Sequence, residues 1–156
     1  MAEINPKAYL LLIARLLLAG AFLMAALPKI QDPVAFANSI EGFQVVGRDL
    51  AVWIALILPW LELVAGFGLL IPQIRRGSAT IVALLLIAFI GLHASAWIRD
   101  LDINCGCFGS NEAHTAPNYL WLILRNLGLL AACLCILVRD WRNPLPHTLT
   151  EEVSTS

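Results

Sequence analysis

Four apolar blocks dominate this chain and leave it few ways to fold: Ala8 to Leu27, Leu50 to Ile71, Ala79 to Ile98 and Tyr119 to Val138. Each is about twenty residues long, enough for an α-helix to cross a hydrocarbon core about 30 Å thick. A soluble core helix is usually shorter and keeps a polar face. Hydrophobic residues make up 60% of the chain and charged ones only 13%, against about 25% charged in soluble domains. That apolar surplus needs lipid as its solvent. The expected fold class is all-α, an integral membrane four-helix bundle built as a single membrane domain over 1–156, with the lipid bilayer as its first partner. A net charge of −1 gives no reason to expect nucleic acid as a partner, nor a polybasic lipid patch.

Turn chemistry divides the blocks in the same way. Pro28 is expected to end the first helix and Ile71-Pro72 the second, with Gly77-Ser78 opening the third and Pro117-Asn118 the fourth. The first block is longer than a signal-peptide core and is interrupted by Arg15, so it reads as a retained helix. The connection from Lys29 to Asp49 has room for a short amphipathic segment around Val34 to Ile40. The connection from Arg99 to Asn118 reads as an ordered loop, and 142–156 as a flexible cytoplasmic tail.

Lys7, Arg75, Arg76, Arg139 and Arg142 fall on one side of a four-span chain. Lys29, Arg48 and Arg99 fall on the other, among Asp32, Glu41, Asp49, Asp100, Asp102 and Glu112. The positive-inside rule then predicts a multi-pass protein of the bacterial inner (plasma) membrane with both termini cytoplasmic. Trp53, Trp97 and Trp121 would lie near the outer interface and Trp141 near the inner one.

Cys105-Gly106-Cys107-Phe108-Gly109 lies in the third connection, on the outward side. Two thiols separated by one glycine are near the limit for a disulfide, and Gly106 permits the tight turn so small a ring needs. Strained, exposed disulfides are the labile ones, and an oxidising compartment lets them exchange. A disulfide that only clips the loop, and metal ligation with His114 or Asp102, are the competing readings; the cysteine spacing is shorter than zinc sites use, and no metal is assigned. Cys133 and Cys135 sit two apart on a helix, point away from one another, and read as packing residues.

Arg15, Glu62 and Arg125 interrupt the spans, and each charge costs about 2.5–3.5 kcal/mol to insert. Counting from helix ends puts Arg15 and Glu62 within about one turn of each other, so an Arg15–Glu62 pair that fastens the bundle is expected. His93 and Arg125 would lie just beneath the cysteine loop with Asn126 nearby. They are candidate tuning residues that stabilise a thiolate or bind a small electron acceptor such as a quinone. A satisfied interhelical hydrogen bond is the competing role for His93.

On these residues the chain resembles the methylamine-utilisation MauE group within the broader DoxX-like membrane proteins. The resemblance rests on Arg15 with Gly20, Pro28-Lys29, Leu58-Pro59-Trp60-Leu61-Glu62, Cys105-Gly106-Cys107-Phe108-Gly109 and Leu124-Arg125-Asn126. It covers roughly Tyr9 to Val138. It implies a bundle looking like vitamin K epoxide reductase and the disulfide-forming quinone reductases, and a link to maturation of the disulfide-rich small subunit of methylamine dehydrogenase. The resemblance carries the cysteine motif onto Cys105 and Cys107. The second cysteine pair of the quinone-reducing relatives is missing, so a thioredoxin-like partner would supply that step.

The function expected is support of periplasmic disulfide formation or exchange, with Cys105 and Cys107 as the catalytic redox pair, a periplasmic client or thioredoxin-like protein as partner, and quinone as a candidate cofactor. The alternative is a non-catalytic membrane scaffold that recruits a periplasmic maturation factor. A transporter built around Arg15 and Glu62 is a third reading, with little midplane cavity to support it.

Overall fold

The computed structural model describes residues 6–101 and 118–142. Five helices follow in order: α1 (Pro6–Gln31), α2 (Pro33–Gly42), α3 (Arg48–Gly68), α4 (Arg75–Ile98) and α5 (Tyr119–Arg142). α1, α3, α4 and α5 are each long and apolar enough to cross a membrane, whereas α2, at ten residues, is too short. The protein is a helical, multi-pass membrane bundle. The loop with Cys105 and Cys107, and the chain beyond Arg142, lie outside the described residues.

Several helix ends depart from the turn signals. Pro28 does not end α1, which continues to Gln31. Proline removes one donor, but a membrane helix with neighbours to pack on tolerates that loss; Pro59 likewise sits buried inside α3. The break falls at Asp32, whose Oδ1 accepts from the Ala35 amide at 2.9 Å and caps α2. α3 stops at Gly68, ahead of Ile71-Pro72, and α4 opens at Arg75, ahead of Gly77-Ser78. Glycine is needed at position 68 because the Ser78 side chain occupies the space a Cβ would fill. Asn118 accepts from the Trp121 amide at 3.2 Å and caps α5.

Packing follows membrane rather than soluble rules. Ala19, Ala65, Ala79 and Ala83 are buried with Leu18, Phe22, Val82 and Leu86 at the centre, whereas Leu10, Leu17, Trp53 and Trp121 point outward. Small residues inside let backbones approach, and large ones outside meet lipid. At Gly66 an added Cβ would stand 3.3 Å from the Cβ of Phe22, so α1 and α3 are in near-backbone contact. α4 packs chiefly on α5, and α3 bridges α1, α2 and α4. The short α2 buries Phe36 and Ala37 against Ala55.

Candidate functional site: an intramembrane polar pocket

Because α1 continues past Pro28, Lys29 stays on the helical face that carries Leu18, Phe22 and Ala26 into the core. The consequence is a buried ion pair. Lys29 Nζ donates to Glu62 Oε1 at 2.6 Å and to Oε2 at 2.8 Å. Each side chain is only 1% exposed. The Phe36 and Phe89 rings lie 5.1 and 4.9 Å from the same ammonium, and their faces add cation–π attraction. A charge desolvated this far is held only where such partners surround it.

The expected Arg15–Glu62 pair is therefore not the one formed. Glu62 belongs to Lys29, and Arg15 Nη2 instead reaches Asp140 Oδ1 at 2.8 Å. Arg75 Nε takes the other oxygen of Asp140 at 2.7 Å, and Arg76 donates to the Asp140 carbonyl at 2.6 Å. A count of depth that ends α1 at Leu27 misses the Lys29–Glu62 pairing, because the helix runs on to Gln31. Such a count places Lys29 in the outer loop and leaves Glu62 to the nearest cation within a span.

His93, Arg125 and Asn126 do converge. With Lys29 and Glu62 they line one cavity of about 80 Å³, whose apolar wall includes Phe22, Leu86, Phe89 and Leu129. His93 is only 2% exposed and its Nδ1 donates to the Phe89 carbonyl at 2.5 Å, within its own helix, which fixes the ring. Phe43 meets the imidazole edge-on with centroids 6.0 Å apart. Arg99 donates to the Phe43 carbonyl and to Gln44 Oε1, both at 3.0 Å, tying the end of α4 to the turn after α2. That turn is tight enough to put Gln44 at φ 52°. A second, almost wholly apolar groove of about 100 Å³ runs between α2, α3 and α4 and shares Phe89 and His93 with the polar cavity.

Among the described residues the pocket thus brings together Lys29, Arg125, the Glu62 carboxylate, an amide and an imidazole, beside an apolar annex. It can hold a small polar group. Among the described residues no cluster of His, Cys, Asp and Glu suits a metal ion. Cys133 is buried and donates to the Ala79 carbonyl at 3.2 Å, as a packing residue should, but Cys135 is exposed on the outside of the bundle and packs in no core.

Lys29 and Asp140 were the residues sequence reasoning missed. Both carry a helical signal: Lys29 continues the Leu18, Phe22, Ala26 spacing, and Asp140 continues Asn126, Cys133, Ile136.

Four membrane-crossing helices around a charged pocket define a multi-pass membrane protein with an intramembrane polar site. Residues 7–139 match the family described as Methylamine utilisation protein MauE, and the chain belongs to that family. A MauE from Paracoccus denitrificans is 32% identical over 152 residues, covering 97% of this chain and 80% of that protein. One from Methylorubrum extorquens is 32% identical over 110 residues, covering 69% of this chain and 58% of that protein. A third, from Methylophilus methylotrophus, is 30% identical over 95 residues, covering 60% of this chain and 50% of that protein. No solved structure matches the chain.

Proposed function

We propose that this protein supports disulfide formation or exchange on the periplasmic face of the bacterial inner membrane, through Cys105 and Cys107, with both chain termini in the cytoplasm. The observation that carries this reading is the position of the polar pocket. His93 lies five residues before the end of α4 at Ile98, and Arg125 six residues after the start of α5 at Tyr119. At about 1.5 Å per residue, both sit roughly 8–9 Å beneath the points where the cysteine-bearing connection leaves and re-enters the bundle. A cation at that depth favours thiolate over thiol above it.

The chemistry balances as two exchanges. A client thiolate attacks one sulfur of the Cys105–Cys107 disulfide and a mixed disulfide forms. The client's second thiolate then closes its own disulfide and releases the protein pair as a dithiol, which now carries two electrons and two protons. An oxidised thioredoxin-like partner takes these by the reverse exchange, or a quinone takes them and leaves as quinol. The apolar groove adjoining the polar pocket suits the second acceptor, whose ring is polar and whose tail is not. The names of the relatives point to methylamine utilisation as the process in which the client is made.

Purified protein in nanodiscs, given a dithiol peptide and a short-chain quinone or an oxidised thioredoxin-like protein, tests the reading. Peptide oxidation faster than the protein-free control, lost in Cys105→Ser and in Cys107→Ser, is the expected result. A rate indifferent to both substitutions leaves the scaffold reading in its place.

A further inference from the structure

At the end of the bundle where α1 and α4 begin and α5 ends, Arg15, Arg75 and Arg76 all bond to Asp140, the first two on its carboxylate. Asp140 is 5% exposed, and both of its oxygens are already taken, Oδ1 by Arg15 at 2.8 Å and Oδ2 by Arg75 at 2.7 Å. Its backbone carbonyl is taken by Arg76 at 2.6 Å. Arg139, the preceding residue on α5, is close enough for its charge to act on Arg15, as does that of Arg75. Among the described residues, four positive charges stand here against one negative, a concentration that the chain's net charge of −1 conceals.

Donors are in excess as well. A guanidinium offers five N–H groups, and Arg15, Arg75 and Arg76 each spend one nitrogen on Asp140. Arg15 Nε is buried and finds no hydrogen-bond partner among the described residues. A buried donor without an acceptor is costly, and so are like charges held together at a membrane boundary. As a fastener for α1, α4 and α5 the cluster needs only Arg15 and Arg75 on the Asp140 carboxylate, and Arg76 and Arg139 go beyond that.

We propose that this cluster binds a phosphate-bearing anion, the phosphodiester headgroup of an anionic phospholipid, between α1, α4 and α5. Planar, forked guanidinium groups match phosphate oxygens, and anionic headgroups lie at the depth of helix ends. Arg76 and Arg139, which Asp140 does not hold by its carboxylate, supply the outer contacts, and Arg15 closes the inner side. The inference is independent of the thiol chemistry.

Native mass spectrometry of the full chain released from detergent tests it, with phosphatidylglycerol and phosphatidylcholine added in equal amounts. The expected result is retention of at least one phosphatidylglycerol, preferred about tenfold over phosphatidylcholine, and loss of that preference in an Arg76→Gln/Arg139→Gln variant. Asp140→Asn removes the competing carboxylate and should strengthen the preference, whereas a mere fastener would gain no lipid. Inorganic phosphate identifies the source: phosphatidylglycerol retained in its excess marks the lipid headgroup, and displacement by it marks the free anion. Equal retention of the two lipids, or undiminished preference in the double variant, overturns the proposal.

Discussion

Lys29 Nζ lies 2.6 and 2.8 Å from the two carboxylate oxygens of Glu62, and neither side chain is more than 1% exposed. This pair joins α1 to α3 on the wall of the polar pocket, so it bears on stability and on what the pocket admits. Removing one partner leaves the other charge buried without its hydrogen-bonded counter-ion. Lys29→Met or Glu62→Gln alone should each cost about 3–5 kcal/mol, while Lys29→Met/Glu62→Leu together should recover most of that loss. Thermal unfolding in one detergent measures all three, and additive losses would contradict the pairing.

The second ion cluster should behave differently from the surface pair. Arg48 and Glu41 bond at 3.1 Å, but their side chains are 70% and 42% exposed; such a pair contributes about 0–1 kcal/mol. Asp140→Asn, which leaves Arg15 and Arg75 facing one another, should lower the unfolding temperature in lipid-free detergent well below that of Arg48→Gln. Equal, small shifts would show that Asp140 fastens nothing.

Close approach of α1 and α3 makes Gly66 intolerant of bulk. With Phe22 Cβ 3.3 Å and the Ala19 carbonyl 3.5 Å from where a Cβ would stand, even Gly66→Ala requires a small shift. Gly66→Leu should cost roughly 1–3 kcal/mol or more by overpacking, and Gly20→Ala, with nothing within 4 Å, should cost far less. Unfolding temperatures of the two variants give the comparison directly.

The cysteines of α5 separate by labelling. Cys135 is exposed on the lipid side and Cys133 is buried with a bonded thiol. A membrane-permeant maleimide should modify Cys135 in the folded protein and reach Cys133 only after denaturation. Equal modification of both would contradict the orientation of α5.

In the proposed function, Arg125 is the residue through which the pocket would tune Cys105 and Cys107. Arg125→Gln should slow alkylation of the reduced Cys105 and Cys107 several-fold at neutral pH, by lowering their thiolate fraction. The rates should converge toward high pH, where both proteins are fully thiolate. A rate unchanged across the whole pH range would remove Arg125 from the mechanism.

Apolar blocks of membrane-spanning length made the bundle legible, because lipid allows few alternatives to a helix. His93, Arg125 and Asn126 were legible as neighbours because distance from a helix end is a one-dimensional count along two adjacent spans. The partner of Glu62 was not. Proline reads as a stop in a soluble helix, and that expectation moved Lys29 out of α1, while the structure carries the helix through Pro28. Asp140 was hidden for a related reason: the run Arg139-Asp140-Trp141-Arg142 reads as a solvated helix end, yet the periodicity through Asn126, Cys133 and Ile136 points Asp140 inward. Cys135 shows the opposite error, since a thiol in an apolar helix was taken for a packed one and it faces lipid.

The central claim is that Cys105 and Cys107 exchange disulfides with another protein, and trapping in intact cells tests it most directly. The account predicts that the pair reacts with a membrane-impermeant maleimide only after mild reduction. It also predicts that Cys105→Ser or Cys107→Ser accumulates a reducible adduct with a periplasmic protein. Free labelling of both thiols without reductant, with no adduct in either variant, would contradict it.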